Sequence, residues 1–462
     1  MTLDSRWLDE LPALLERMAA TQDSLPPLAV GSSDPRVSGV LREVAERLQD
    51  NYPYPHPLYA GQMLKPPHPV ARLAYMLALW INPNNHALDG GRASSAMEKE
   101  AVQALARVVG WDEAYLGHLT GGGTVANLEA LWVANQLAPG KRVLASAQAH
   151  YTHQRLCKVL GIDFTAVSVD AAGRMALPAL EDELACGDVG TVVVTLGSTA
   201  FGSVDPLADV LELRERYGFR VHVDAAYGGY FALAADALPP NARAAFASLG
   251  AADSFVIDPH KHGLQPYGCG CVLFRDPAVS RFYDHGSPYT YFSSDDLHLG
   301  EISLECSRAG ASAVALWATQ RLLPMTSDGE FADGLRDSLA AARNLFARLK
   351  SDSASLTLLA PALDIVVWAP RGRRASDISD ASQRLFEAAA RRDLHLATCW
   401  VPRSLAEPYW PDVEFDADSV LCLRSVLMKP EHHAWLDTIW QRYCDARADV
   451  APREPLSSVT VP

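Results

Sequence analysis

Six short segments between residues 91 and 320 leave this chain few folds to choose from. Lys141–Ala145, Asp163–Val169, Thr191–Leu196, Arg220–Asp224, Ser254–Ile257 and Cys269–Phe274 are dominated by apolar residues, and stretches of helical pattern separate them. A strand with one wet face alternates polar and apolar side chains. Most of these do not, so they read as strands covered on both faces. Strands of that kind joined by helices predict an α/β fold, a mostly parallel sheet flanked by helices.

The flanking regions read differently. From residue 330 the pattern gives a long helix (Phe331–Lys350), a strand (Leu363–Trp368), a helix (Ile378–Arg392) and a strand (Leu421–Leu427), a smaller C-terminal α+β domain. Residues 1–90 hold one amphipathic helix and then a Pro-, Tyr- and His-rich stretch, Tyr52 to Pro69. That is too little periodic apolar content to bury itself, so it reads as an arm. The expected divisions are an arm over 1–90, a large domain over 91–325, a small domain over 326–450 and a disordered tail over 451–462.

Composition narrows the class. The 462 residues are 49% hydrophobic, enough for more than one domain, and carry a net charge of −15 with no basic block. Nucleic acid and anionic membrane surfaces are therefore excluded as expected partners. No early apolar run suits a signal peptide or a membrane span, and the eight cysteines follow no framework spacing, so a cytoplasmic protein with reduced thiols is expected. Cys269-x-Cys271, with Cys306 and nearby histidines, lacks the spacing of a zinc knuckle, and no metal is predicted.

The chemistry gathers at the ends of the predicted strands. Val221-His222-Val223-Asp224-Ala225-Ala226-Tyr227-Gly228 ends one strand on an acid. Ser254-Phe255-Val256-Ile257-Asp258-Pro259-His260-Lys261-His262-Gly263 places one of only seven lysines just past the next. Pyridoxal phosphate (PLP) requires this pair: an amine to form a Schiff base and a carboxylate to pair with the pyridinium nitrogen. Taken singly, Asp224 could cap the following turn and Lys261 could be an exposed loop lysine. Upstream, Leu119-Thr120-Gly121-Gly122-Gly123-Thr124 gives way at once to a helical pattern. Its amides and the positive helix end suit a phosphate, although a glycine turn that only starts a helix reads the same way. His150, in Ala147-Gln148-Ala149-His150-Tyr151-Thr152, read alone is a surface-loop histidine.

In this order and spacing the segments resemble the group II PLP-dependent amino-acid decarboxylases, a family that includes the aromatic amino-acid, glutamate and tyrosine decarboxylases. The resemblance covers roughly residues 50–440. It implies a fold-type I, PLP-dependent transferase-like architecture, with Lys261 as the Schiff-base lysine and Asp224 on the ring nitrogen. Gly123 and Thr124 align with the phosphate contacts. His150 would stack on the ring and orient the substrate carboxylate, and Ala226 would lie on the opposite ring face. In Val194-Thr195-Leu196-Gly197-Ser198-Thr199, either Ser198 or Thr199 supplies a hydroxyl near the cofactor. His260 counts among the cofactor contacts, whereas His153 keeps the bland surface reading. His262 stands where relatives usually carry a large apolar or aromatic residue, and Asp258 where they often carry Asn or another polar residue.

Outside this core, Arg424 in Leu421-Cys422-Leu423-Arg424-Ser425-Val426-Leu427 looks like the family's carboxylate-binding arginine, with a structural salt bridge as the alternative. The segment from Tyr283 to Glu301 stands where relatives carry a mobile loop whose tyrosine protonates the quinonoid carbanion. Tyr289 or Tyr291 could do so, or both could be packing residues. Leu58-Tyr59-Ala60-Gly61-Gln62-Met63 resembles the stretch that lines the substrate pocket across the dimer interface, which nominates Gln62 and Met63.

The function so implied is decarboxylation of an L-amino acid to its amine and CO2 by a homodimer with shared active sites. Other PLP reactions on the same scaffold are the alternative: C–S or C–C lysis, transamination or oxidative deamination. A relative that binds PLP without turnover is a further one. The aromatic-rich arm favours a substrate with an aromatic or apolar side chain.

Overall fold

The computed structural model describes residues 5–20, 24–26, 34–284 and 296–450. The expected tail over 451–462, Tyr289 and Tyr291 lie outside the described residues.

Seven strands form the principal sheet: β1 (Leu116–Thr120), β2 (Arg142–Ser146), β3 (Phe164–Val167), β4 (Val189–Thr195), β5 (Arg220–Asp224), β6 (Ser254–Ile257) and β7 (Gly270–Phe274). Their spatial order is β1-β7-β6-β5-β4-β2-β3. β7 runs antiparallel to both of its neighbours, and every other pairing is parallel. The apolar segments correspond to β2 through β7. In β4 the continuous hydrophobicity has the expected cause: successive residues Val192, Val193 and Val194 are all at 0% exposure, so both faces are covered, whereas β3 at the sheet edge leaves Ala166 exposed.

β1 escaped the sequence reading because it does not look apolar. Its residues include Gly117 and His118. His118 is fully buried only because Glu129, on the following helix, lies 3.0 Å from its Nε2, and a burial that depends on a distant partner leaves no local pattern.

Four antiparallel strands make the second sheet, in the order β10-β11-β9-β8: β8 (Ser355–Thr357), β9 (Ile365–Pro370), β10 (Ala397–Pro402) and β11 (Ser419–Val426). The helices Glu330–Ser351 and Ala375–Ala390 pack on it, and Leu436–Val450 packs against those two helices. Two of its strands, β8 and β10, had no counterpart in the sequence reading.

Among the described residues the N-terminal stretch holds three α-helices where one was expected: Leu11–Ala19, Arg36–Leu48 and Pro69–Ile81. The third packs against helix Gly310–Leu322, so the end of the presumed arm belongs to the body of the large unit. The stretch between them is pinned to the small sheet. The Ala60 amide donates to the His395 carbonyl (2.9 Å), the Val426 amide donates to the Ala60 carbonyl (2.7 Å), and Leu58 and Ala60 join the core around Trp368, Leu385 and Leu423.

No helix among the described residues is long and apolar enough to cross a membrane. All eight cysteines are free, and no cluster of three or more metal-ligating side chains occurs among the described residues.

Candidate active site

A cavity of about 290 Å³ opens where the carboxyl ends of β1, β4, β5 and β6 meet. This is the edge at which open α/β sheets present ligand sites, because the loops leaving parallel strands diverge there.

The turn after β1 forms one wall. Gly122 has φ +140°, a conformation only glycine adopts without strain, and helix Gly123–Leu137 begins at the next residue. A Cβ on Gly123 would lie 2.7 Å from Asp258 Oδ2, so backbone and carboxylate approach as closely as they do only because the side chain is missing. Asn127 ties this turn to the sheet. Its Nδ2 donates to the Gly123 carbonyl (2.8 Å), and its Oδ1 accepts from His222 Nε2 (2.8 Å) on β5. Thr124 also lines the cavity.

Asp224, the last residue of β5, forms the floor with its side chain only 6% exposed. Two donors hold it. His153 Nε2 lies 2.8 Å from Oδ2, and the Ala226 amide donates to Oδ1 at 3.0 Å. Burial alone would raise this carboxyl. The His153 hydrogen bond, the charges of His153 and Lys261, and the Ala226 amide overcome burial and hold it well below the usual carboxylate range. Ala226 lines the cavity directly behind it.

Lys261 enters from the loop after β6, with Nζ 3.1 Å from Asp258 Oδ2. Asp258 is itself 2% exposed, and its Oδ1 is buried without a hydrogen-bond partner. His260 donates from Nδ1 to the Cys269 carbonyl (2.8 Å), lies against the Tyr267 ring and lines the cavity. His150 lines the opposite side, its Nδ1 accepting from the Thr152 amide (3.3 Å), and burial lowers its imidazole from the ordinary value.

Thr199 and Ser198 separate in the structure. Thr199 lines the cavity, whereas Ser198 turns its Oγ to accept the Ser203 amide at 3.1 Å.

Three other nominated residues lie elsewhere. Arg424 is buried, and its guanidinium donates to the carbonyls of Thr199 (2.6 Å), Ala200 (3.1 Å) and Gly61 (3.4 Å). It neither lines the cavity nor meets a carboxylate. Its partners are backbone carbonyls, so the salt-bridge alternative is not met among the described residues. The guanidinium fastens the turn bearing Thr199 to β11 and the Gly61 segment. Gln62 is exposed and Met63 half-buried, and neither lines the cavity of its own chain.

The sequence reading missed two groups outright. His153 is fully buried on Asp224, not on the surface. Beneath the lysine loop, Asp364 accepts from Tyr227 Oη (2.5 Å), and His262 Nε2 lies 3.2 Å from its other oxygen, off the line of a proper hydrogen bond. The one available signal for His153 was its position three residues after His150, at the start of the helix that follows.

The cavity suits PLP on its own geometry. It combines an amine, an ionised buried carboxylate, and a glycine turn in which a Cβ on Gly123 would collide with Asp258. Residues 56–367 match the family described as the pyridoxal-dependent decarboxylase conserved domain. The L-tyrosine decarboxylase of Enterococcus faecium is 28% identical over 421 residues, covering 69% of this chain and 68% of that protein. The L-aspartate decarboxylase of Thermococcus kodakarensis is 28% identical over 329 residues, covering 71% and 83%. The fold is shared with Oryza sativa TDC, solved with PLP and tryptamine, at a TM-score of 0.77 and 17% identity over 97% of this chain and 99% of that one. The chain belongs to the pyridoxal-dependent decarboxylase family, and it is a PLP-dependent enzyme that decarboxylates an amino acid.

Proposed function

We propose that Lys261 is the residue that carries PLP covalently and that Asp224 is the partner of its ring nitrogen. One observation carries the reading: a buried carboxylate, kept ionised by two fixed donors, stands at the floor of the cavity that also receives the Lys261 amine. PLP supplies a conjugated electron sink for the pair left at Cα when CO2 departs.

The chain's own residues orient and shield. The amides around Gly122, Gly123 and Thr124 receive the phosphate, as a glycine turn opening a helix does for an anion. Ala226 leaves space on one ring face, and His150 covers the other, its imidazole kept neutral by burial. Thr199 is the hydroxyl residue beside the cofactor. Asp258 holds the Lys261 ammonium while that amine is free. Tyr289 or Tyr291 returns the proton to Cα.

Lys261 is the only ammonium or guanidinium among the described residues lining the cavity, so a side-chain carboxylate finds no counterion there. This supports an L-amino acid with an aromatic or apolar side chain, although relatives are named for tyrosine, aspartate and 2,4-diaminobutyrate. The working unit is a homodimer. Helix Arg36–Leu48 exposes Val37, Val40, Leu41, Val44 and Leu48 as one stripe, which a second copy would cover. Eight free cysteines suit the reducing cytoplasm.

A panel of the twenty amino acids and 2,4-diaminobutyrate, with CO2 and amine both measured, tests the substrate assignment. Amine from an aromatic or apolar member is expected, and amine from aspartate alone rejects it. Borohydride reduction should fix PLP to Lys261 in the parent protein and to nothing in Lys261→Ala. An adduct on another lysine refutes the assignment of the lysine.

A further inference from the structure

Asp224 is held by two groups of different kinds. One is the Ala226 amide, which belongs to the same turn and comes with the fold. The other is the side chain of His153, which reaches the carboxylate from 71 residues away in sequence. His153 has 0% side-chain exposure, and its second nitrogen, Nδ1, is buried without any hydrogen-bond partner. All of its polar contact is therefore spent on Asp224. With a carboxylate as its only partner, Nε2 carries the hydrogen.

The local chain explains how it gets there. Helix Thr152–Leu160 starts just after His150, and the His153 amide donates to the His150 carbonyl at 3.1 Å. The bend before the helix presents His150 to the cavity, and the first helical turn lays His153 on the carboxylate. The titratable groups around Asp224 are His153, Lys261, His150 and His222. Of these, His153 is the one hydrogen-bonded to it.

We propose that His153 is a positioning residue: its Nε2–H fixes the orientation and the charge of Asp224, and through Asp224 it controls the protonation of the cofactor's ring nitrogen. This rests on the assignment of Asp224 made above. A buried carboxylate with one donor removed protonates more readily. A ring nitrogen facing a neutral acid loses its positive charge, the ring withdraws electrons less strongly, and the proton on the Lys261 linkage is held more tightly.

His153→Phe keeps a ring and removes the donor, whereas His153→Gln keeps an N–H at a similar reach. Both are to be compared with the parent for PLP affinity at equilibrium, for the pH midpoint of the visible absorbance band of the loaded enzyme, and for kcat and KM separately. For His153→Phe the midpoint should move upward by about one pH unit, equivalent to a tenfold change in proton affinity. Its PLP affinity and its kcat should each fall about tenfold with KM little changed, the scale on which loss of an orienting partner acts. His153→Gln should recover most of each loss. A Phe variant with the parent's midpoint and affinity overturns the proposal, and so does a Gln variant that behaves like Phe, because the donor would then not be the cause.

Asp224→Asn, run alongside, separates two kinds of failure. If it too leaves band and affinity unchanged, the role of Asp224 itself is wrong. If it shifts them while His153→Phe does not, only the role of His153 is wrong. Should His153→Phe not fold, the downfield imidazole N–H proton resonances of the parent decide. A His153 Nε2–H signal that disappears in Asp224→Ala, which removes the acceptor, supports the proposal, and absence of any such signal rejects it.

Discussion

Asp224 shows what a single residue must satisfy in this site. A carboxylate at the floor of a sheet stays charged only when donors replace the water it has lost, and His153 and the Ala226 amide do so. With Asp224 in the proposed role, Asp224→Ala should lower turnover on the order of 10²-fold or more, because it removes the charge set against the ring nitrogen where electrostatic stabilisation acts. Steady-state kinetics on PLP-saturated protein check this, and near-parental turnover would make the carboxylate structural. His222, one strand residue pair away, meets the opposite demand. Burial, reinforced by the charge of His153, pushes its imidazole down to about 3 from 6.5. The folded chain then refuses a proton that the unfolded chain accepts. The stability tied to the neutral ring is complete above pH 6.5 and is lost as pH falls from there toward 3. The slope is at most about 1.4 kcal/mol per pH unit. His432, also pushed down to about 3 by burial and then by Lys429, behaves in the same way. His222→Gln should remove one of these two contributions and flatten the acid limb of urea midpoints measured across that range. An unchanged limb would mean that His222 titrates alike in both states.

Elements are joined at this site by a few buried polar groups more than by area. Glu98, on helix Arg92–Val109, is the clearest case. It is 1% exposed, accepts from the Leu119 amide at the end of β1 (3.0 Å) and from Asn85 Nδ2 (2.6 Å), and pairs with Arg308. Arg308 is 8% exposed, with Nη1 already lacking a partner. Thus one carboxylate ties the strand that leads into the glycine turn, the end of the N-terminal stretch, and the segment entering helix Gly310–Leu322. Removing one member of such a pair strands the other charge, a loss of about 3–5 kcal/mol. Glu98→Ala should lower the free energy of unfolding by that amount and weaken PLP retention with it, because β1 positions Gly121–Gly123. Retention of both properties would show that the pair is dispensable. The glycine turn was legible as a motif, but the reason for its glycines was not. Gly122 needs its positive φ, Gly123 makes room for Asp258, and a Cβ on Gly270 of β7 would lie 2.6 Å from the Gly122 Cα.

For the whole molecule, the exposed stripe on helix Arg36–Leu48 is the feature a single chain leaves unexplained. Val37, Val40, Leu41, Val44 and Leu48 are each between 46% and 63% exposed, and at the end of helix Pro69–Ile81 Leu79, Trp80 and Ile81 are at least as open as 55%. An apolar surface of this kind calls for a cover. A double Leu41→Asp, Val44→Asp variant should run as a monomer by light scattering and lose turnover, since Gln62 and Met63 do not reach the cavity of their own chain. A fully active monomer would refute the shared site.

Asp224, Lys261 and the turn at Gly121–Gly123 were legible because strand ends are local events. An apolar run stops, a polar residue follows, and the period of the pattern says where. The same logic found β2 through β7, and it failed at β1, where Gly117 and a buried His118 break the pattern. His153, Arg424 and Asp364 were illegible for the opposite reason. Each is a polar group whose environment is made by a residue far along the chain: Asp224 at 71 residues, the Thr199 carbonyl at 225, and Tyr227 at 137. Neighbouring residues determine which element a segment forms, and so fold class and site edge can be read from a string of letters. Whether a histidine three residues from the cavity faces water or a carboxylate is decided by which strand lies beneath it, and only the packed sheet supplies that strand.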